Sequence, residues 1–231
     1  MTWRGTELDA HRVLALFKEL SDRLDARGLQ AQLFVVGGAA MALAYDGGRV
    51  TRDVDALLIP AVQVRQIAEE IGVAHGLEPD WLNDAAKGFL PGTDEHSRTV
   101  FESGALLVQV PSPEYLLAMK LHAARDERDL DDAVTLFNTL GYTSAQECID
   151  LLATTYPPGQ LLPRHRYVAQ EVADRAEALH TRNTPPHPPL SRDAPDAEPS
   201  KPTRNRRQKP NASDPWRSRQ RPDGSGPERS L

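Results

Sequence analysis

Two aspartates separated by one residue, Asp53 and Asp55, are the best candidates in this sequence for holding a metal ion. They follow Arg49 and Thr51 at every second position, and in a β-strand residues spaced in this way project from the same face. Two carboxylates on one face repel each other unless a cation lies between them. Mg²⁺ suits that place because it takes oxygen ligands and often shares them with substrate phosphates. The pattern therefore predicts a strand over residues 49–55 whose metal ligands are Asp53 and Asp55.

A phosphate site is predicted immediately before these acids. A short apolar run predicts a strand that ends at Gly37 and Gly38, and the small residues after them favour a helix. Glycine allows close approach to the backbone, and the free N–H groups at a helix start attract phosphate. We therefore expect Gly37, Gly38, Arg49 and Thr51 to bind a nucleotide. Together with paired carboxylates, such a site is typical of phosphoryl or nucleotidyl transfer.

The order strand, Gly-Gly, helix, Arg-x-Thr-x-Asp-x-Asp and apolar strand resembles the signature of the DNA polymerase beta-type nucleotidyltransferase superfamily. Within it, residues 30–140 look like the small bacterial branch that includes AbiEii-type and MenT-type toxins. This resemblance implies transfer of a nucleotide from an NTP, with Mg²⁺, to a hydroxyl acceptor. It also implies an RNA or tRNA acceptor and a cognate antitoxin as partners.

A second chemically rich segment is MKLHAARDERDLDD, which resembles the second signature of the same branch. By that match Lys120 would bind phosphate and Asp129 would be a catalytic or orienting acid, with Asp132 behind it. Lys120 lies on the apolar side of a predicted helix, so its amine needs a partner: nucleotide phosphates, or Asp53 and Asp55. Alternatively, it is a lysine that reaches out to solvent.

Lys120 and Asp129 can reach one site only if the helix breaks between them. They are nine residues apart, and on one straight helix they would point to opposite sides. We therefore predict a break near residues 125–128. Asp129 is then a candidate N-cap for a helix over 130–140, with or without a role in catalysis.

Gln109 is the residue that argues against catalysis. Many members of the superfamily carry a third metal carboxylate on a later strand, and the matching position here holds this amide. An alternative function is therefore a catalytically degenerate nucleotide-binding or regulatory module. A further alternative is an antitoxin-like or structural partner that binds no nucleotide.

Composition divides the chain into an acidic part and a basic tail. The net charge is −6, yet residues 181–231 hold 11 of the 27 Lys and Arg, only 6 of the 33 Asp and Glu, and 11 of the 19 prolines. We predict an α/β (α+β) fold, with a small mixed sheet and flanking helices over 1–112, a helical region over 113–181 and a disordered tail over 182–231. Within the tail, Arg204–Lys209 either contacts RNA or serves solubility.

The single cysteine, Cys148, excludes an internal disulfide framework. No apolar run is long enough for a membrane span, and the N-terminus lacks the apolar core of a signal peptide. We therefore expect a cytoplasmic protein with no membrane partner.

Overall fold

A mixed five-stranded sheet forms the centre of the protein in a computed structural model that describes residues 7–183. The strands are, in chain order, β1 (Ala31–Val35), β2 (Val54–Ile59), β3 (Leu82–Asn83), β4 (Arg98–Glu102) and β5 (Leu106–Val110). Their order in the sheet is β3-β2-β1-β5-β4. The pairs β1/β5 and β2/β3 are parallel, whereas β1/β2 and β4/β5 are antiparallel. The predicted mixed sheet is confirmed.

Seven α-helices flank the sheet or follow it within the described residues. They are α1 (Ala10–Asp25), α2 (Gly37–Ala44), α3 (Ala61–His75), α4 (Pro113–Ala123), α5 (Glu127–Thr139), α6 (Ala145–Thr155) and α7 (Arg164–Asn183). Short 3-10 helices cover Ala85–Phe89 and Pro158–Gln160. No helix in this part of the chain has the length and apolar character needed to cross a membrane.

The sheet buries one face and leaves the other partly open. Along β1, Ala31, Leu33 and Val35 are buried while Gln32 is exposed and Phe34 is half-buried. β2 and β5 alternate in the same way, as expected when every second side chain turns to the core. The buried face shares one hydrophobic core with α1 and α3, which contact β5 and β2. Asp55 belongs to the open face.

The helical region after the sheet begins at a well-capped helix. Ser112 accepts a hydrogen bond from the Tyr115 N–H, and Pro113 takes the first position of α4, an arrangement typical of helix starts. α4 ends at Ala123 and α5 begins at Glu127, so the predicted break between Lys120 and Asp129 is confirmed. The N-cap of α5 is Asp126, which accepts from the Asp129 N–H at 3.0 Å. The predicted capping role of Asp129 is therefore wrong.

The predicted strand over 49–55 is also wrong for most of its length. β2 begins only at Val54, after a bend at residues 52–53. Thr51 instead forms an isolated antiparallel bridge with Leu8, through two backbone hydrogen bonds of 2.8 and 2.9 Å. The alternating residue types thus fall on a connection, and Arg49 lies on a loop. The predicted disordered tail and Arg204–Lys209 lie outside the described residues, apart from the last residues of α7.

Candidate active site

The site is built around the first turn of α2. Gly37 has φ +64°, a conformation that L side chains rarely adopt, and a Cβ placed on it would lie 3.3 Å from Asp55 Oδ2. A Cβ on Gly38 would lie 3.0 Å from Thr51 Oγ1 and 3.6 Å from Arg49 Nη2. The two glycines therefore allow the start of the helix to approach all three side chains. This brings together the four predicted nucleotide-binding residues and the predicted metal ligand Asp55.

Asp53 and Asp55 both lie beside this helix start although only Asp55 is in a strand. The Thr51 hydroxyl donates to the Asp53 carbonyl oxygen at 3.0 Å and lies 3.5 Å from Asp53 Oδ1. Burial raises the pKa of Asp55, and the charge of Asp53 raises it further. Asn83, on the neighbouring strand β3, and the cations Arg125 and Lys120 act in the opposite direction. The two carboxylates are thus close enough to repel each other, at the positive end of a helix.

The two carboxylates fit a single Mg²⁺ that takes its other ligands from water and substrate, rather than a metal ion whose ligands all come from the protein. Among residues 7–183 no group of three or more His, Cys, Asp or Glu side chains is arranged to hold a metal ion. Two mutually repelling carboxylates offer hard oxygen ligands, and Mg²⁺ commonly takes its remaining ligands from water and substrate phosphates. A cation there would also relieve the repulsion that raises the pKa of Asp55.

A buried ion network lies next to the acids. The Lys120 amine donates to Asp129 Oδ1 at 2.8 Å and to Asp132 Oδ2 at 2.7 Å. Arg49 binds both oxygens of Asp132, at 2.9 and 3.2 Å. The exposed fractions of Lys120, Asp129 and Asp132 are only 7, 6 and 3%. Arg125 completes the chain, because its backbone N–H donates to Asp129 Oδ2 at 3.1 Å.

In these contacts Lys120 and Arg49 bind carboxylates of α5 and not a nucleotide or the paired acids. Lys120 was expected to meet nucleotide phosphates or Asp53 and Asp55, and it acts on Asp55 only through its charge. Arg49 gives its third guanidinium nitrogen to the Val50 carbonyl at 2.7 Å, and its hydrogen bond to Asp132 raises its pKa. Although burial raises the pKa of Asp129, its bond to Lys120 holds that pKa below the usual value. Asp129 is therefore a buried, ionised partner of Lys120.

The acids, the glycines and the ion network all fall within one family match. The model of a family described as nucleotidyltransferases of unknown function (DUF6036) matches residues 11–140, which is more than half of the chain. The chain belongs to this family. The match runs from α1 to just past α5, so it includes every candidate site residue predicted from the sequence. It supports the nucleotidyltransferase superfamily and does not extend to the AbiEii/MenT-like branch.

The chain is similar to an antigenic nucleotidyltransferase-like protein from Paracoccidioides brasiliensis, known from a crystal structure, with 17% identity and a TM-score of 0.30. The similarity covers 64% of this chain and 89% of the fungal one. A search of curated proteins found no match.

Gln109 of this DUF6036 member lies on the open face of the sheet. Phe34 pairs with Leu57 on one side and with Gln109 on the other, so the three residues share a face. Asp55 precedes Leu57 by two residues and belongs to the same face. Gln109, the position that the resemblance to the superfamily assigns to a third carboxylate, therefore lies on the same face of the sheet as Asp55.

Two residues of the site carried too weak a signal to be found in the sequence. Asn83 reaches Asp55 only because β3 pairs with β2, with Asp55 and Asn83 as direct partners. Arg125 looks like any surface arginine in a charged run. The available signal was its position in the predicted helix break, which brings it to the edge of the site.

Proposed function

We propose that this protein is a Mg²⁺-dependent nucleotidyltransferase that moves a nucleotide from an NTP to a hydroxyl acceptor. The observation that carries the proposal is the meeting of Asp53, Asp55 and a glycine-lined helix start. Asp53 and Asp55 would hold Mg²⁺, which when bound would offset part of the negative charge of the triphosphate. The acceptor hydroxyl would then displace pyrophosphate from the α-phosphorus.

The chain itself would supply positioning and electrostatics. The first N–H groups of α2 would donate hydrogen bonds to phosphate oxygens, because they lack partners within the helix and lie at its positive dipole end. The glycines keep this surface free of side chains. Lys120 and Arg49 would fix α4, α5 and the loop before β2, and so keep the Lys120 ammonium where its charge acts on Asp55.

Loss of transfer on removal of one carboxylate tests this function. The purified protein is incubated with labelled NTPs, Mg²⁺ and total tRNA, and label in the RNA and free pyrophosphate are measured. Asp55→Asn should reduce both by at least about a hundredfold, because a neutral amide is a poor Mg²⁺ ligand. Asp22→Asn, on an exposed surface of α1, is the matched control and should leave transfer unchanged. Full activity of Asp55→Asn would contradict the proposal.

An RNA acceptor and a toxin role with a cognate antitoxin form the finer part of the proposal. Their support is the resemblance of residues 30–140 to AbiEii-type and MenT-type toxins. Expression in bacterial cells tests them: the intact protein should slow growth, and Asp55→Asn should restore it. Normal growth with the intact, active protein would leave a nucleotidyltransferase without a toxin role.

Gln109 favours a second function, a nucleotide-binding module without turnover. Its amide lies on the face that carries Asp55, at the position that the resemblance assigns to a third carboxylate. Calorimetry with Mg²⁺-NTP separates the two functions. Binding with no pyrophosphate release and no labelled acceptor would support the module. Pyrophosphate release that depends on Asp55 would support the enzyme.

A further inference from the structure

A triphosphate at this site would need a cationic side chain with free donors. The two basic residues expected to bind it, Lys120 and Arg49, are already bound to other groups of the protein. Two N–H groups of Lys120 are bound to Asp129 and Asp132, and its side chain is 8% exposed. Arg49 uses all three guanidinium nitrogens on Asp132 and the Val50 carbonyl. Releasing either residue to a substrate would leave a buried carboxylate without its partner, which is costly.

Arg125 has the opposite character. Its side chain is 81% exposed, and its Nε meets Asp129 Oδ2 only at 3.5 Å, where a hydrogen bond is weak. Its guanidinium therefore has donors available. Among the charges that act on the pKa of Asp55, those that lower it come from Arg125 and Lys120. The Asp129 carboxylate that accepts the Arg125 N–H also binds Lys120, and Lys120 shares Asp132 with Arg49, whose Nη2 would lie 3.6 Å from a Cβ on Gly38. Arg125 is thus an exposed cation on the network beside the start of α2.

The backbone around Arg125 is held in one position. Ala124 has φ +23°, and among residues 7–183 it is the one residue other than glycine with a positive φ. Such a conformation costs free energy and persists where its surroundings fix it. Here the buried Asp129 carboxylate accepts the Arg125 N–H at 3.1 Å, and the Ala124 N–H donates to the Lys120 carbonyl at 2.8 Å. The turn between α4 and α5 is therefore anchored by the same network that lies beside Asp55.

We propose that Arg125 binds the β- and γ-phosphates of the nucleoside triphosphate at this site. The proposal rests on the proposed function, because it assumes a triphosphate beside Asp53 and Asp55. A guanidinium presents a planar fork of donors that matches phosphate oxygens, and an exposed one can turn toward a ligand without breaking a buried ion pair. Asp129 is in this view a positioning residue, which holds the backbone of Arg125 and does not touch the substrate.

The test measures by calorimetry how three ligands bind to the full chain. They are the Mg²⁺ complex of a nucleoside triphosphate, the Mg²⁺ complex of its diphosphate, and the monophosphate. Arg125→Gln should weaken triphosphate binding at least about tenfold and monophosphate binding less than about twofold, because the lost contact is to the outer phosphates. Arg125→Lys should give an intermediate loss. Arg128→Gln, at an exposed arginine three residues further along, should change the affinity less than about twofold.

The possible outcomes distinguish the role of Arg125 from the proposed function. Equal losses for triphosphate and monophosphate, or an equal effect of Arg128→Gln, would overturn the role of Arg125 and leave the proposed function intact. A wild-type chain that binds no Mg²⁺-NTP would overturn both. The melting temperatures of the variants should match that of the wild type, since the side chain of Arg125 is exposed and only its backbone N–H holds Asp129 well.

Discussion

Asp55 shows at the scale of one residue how a candidate catalytic group is kept at a cost in stability. Burial and the neighbouring Asp53 charge raise its pKa, so the fold disfavours the ionised form. Between its usual value and this raised value the native state binds more protons than the unfolded state. The contribution of Asp55 to stability therefore falls as the pH rises through that interval.

Asp55→Asn should accordingly stabilise the protein at neutral pH in metal-free buffer. The gain in melting temperature should shrink as the pH falls below the raised pKa and vanish under conditions where Asp55 is protonated in both states. Asp129, whose lowered pKa has the opposite effect, is present in both proteins and cancels in the difference. Thermal unfolding across pH measures this, with added Mg²⁺ expected to stabilise the wild type alone. A variant less stable than the wild type at neutral pH would show that Asp55 makes net favourable contacts.

At the scale of an element, the start of α2 depends on glycine for two separate reasons. Gly37 requires a positive φ, and Gly38 requires space against Thr51, whose backbone is fixed by its bridge to Leu8. Gly47, in the loop after the helix, has neither constraint, since a Cβ there would meet nothing within 4 Å.

Alanine substitutions separate these effects. Gly37→Ala should cost about 1–2 kcal/mol from its left-handed backbone. Gly38→Ala should cost about 1–3 kcal/mol from overpacking. Gly47→Ala, the matched control, should be neutral or stabilising by up to about 1 kcal/mol. Urea unfolding measures all three, and a Gly37→Ala variant as stable as Gly47→Ala would contradict the geometry of this turn.

At the scale of the whole molecule, a buried ion network joins the sheet region to the helical region. Arg49 comes from the loop before β2, Lys120 from α4, and Asp129 and Asp132 from α5. Both lysine contacts are buried, whereas the similar contact of Lys18 with Asp22 on α1 is more than 60% exposed on both sides. Burial decides how much each pair matters, because removing one partner inside the protein leaves an uncompensated charge.

Lys120→Met should therefore destabilise the protein by about 3–5 kcal/mol. Lys18→Met should cost less than about 1 kcal/mol, although its shortest contact, 2.9 Å, is nearly the same length. Chemical denaturation of both variants measures the contrast. Adding Asp129→Asn and Asp132→Asn to Lys120→Met should restore part of the loss. Equal losses for the two lysine variants would show that the network is not buried in solution.

Local patterns in the sequence determined much of the fold. The apolar runs of β1 and β2, Ser112-Pro113 at the start of α4 and the spacing of Lys120 and Asp129 each involve residues close together in the chain. Such signals act along short stretches of the chain, and together with the resemblance to the superfamily they predicted the mixed sheet, the helical region and the break between α4 and α5. They also predicted that Gly37, Asp53 and Asp55 lie at one site.

The tertiary structure alone decided which residues pair. The alternating residue types at 49–53 are also typical of a strand, and only the bridge of Thr51 to Leu8 shows that they form a connection. Asp126 and Asp129 are the same residue type, so the sequence did not show which of them caps α5. The partner of Lys120 could not be read from its spacing, because ion pairing depends on distances and burial across elements that are far apart in the chain. Packing therefore committed Lys120 and Arg49 to buried carboxylates and left Arg125 exposed beside Asp55.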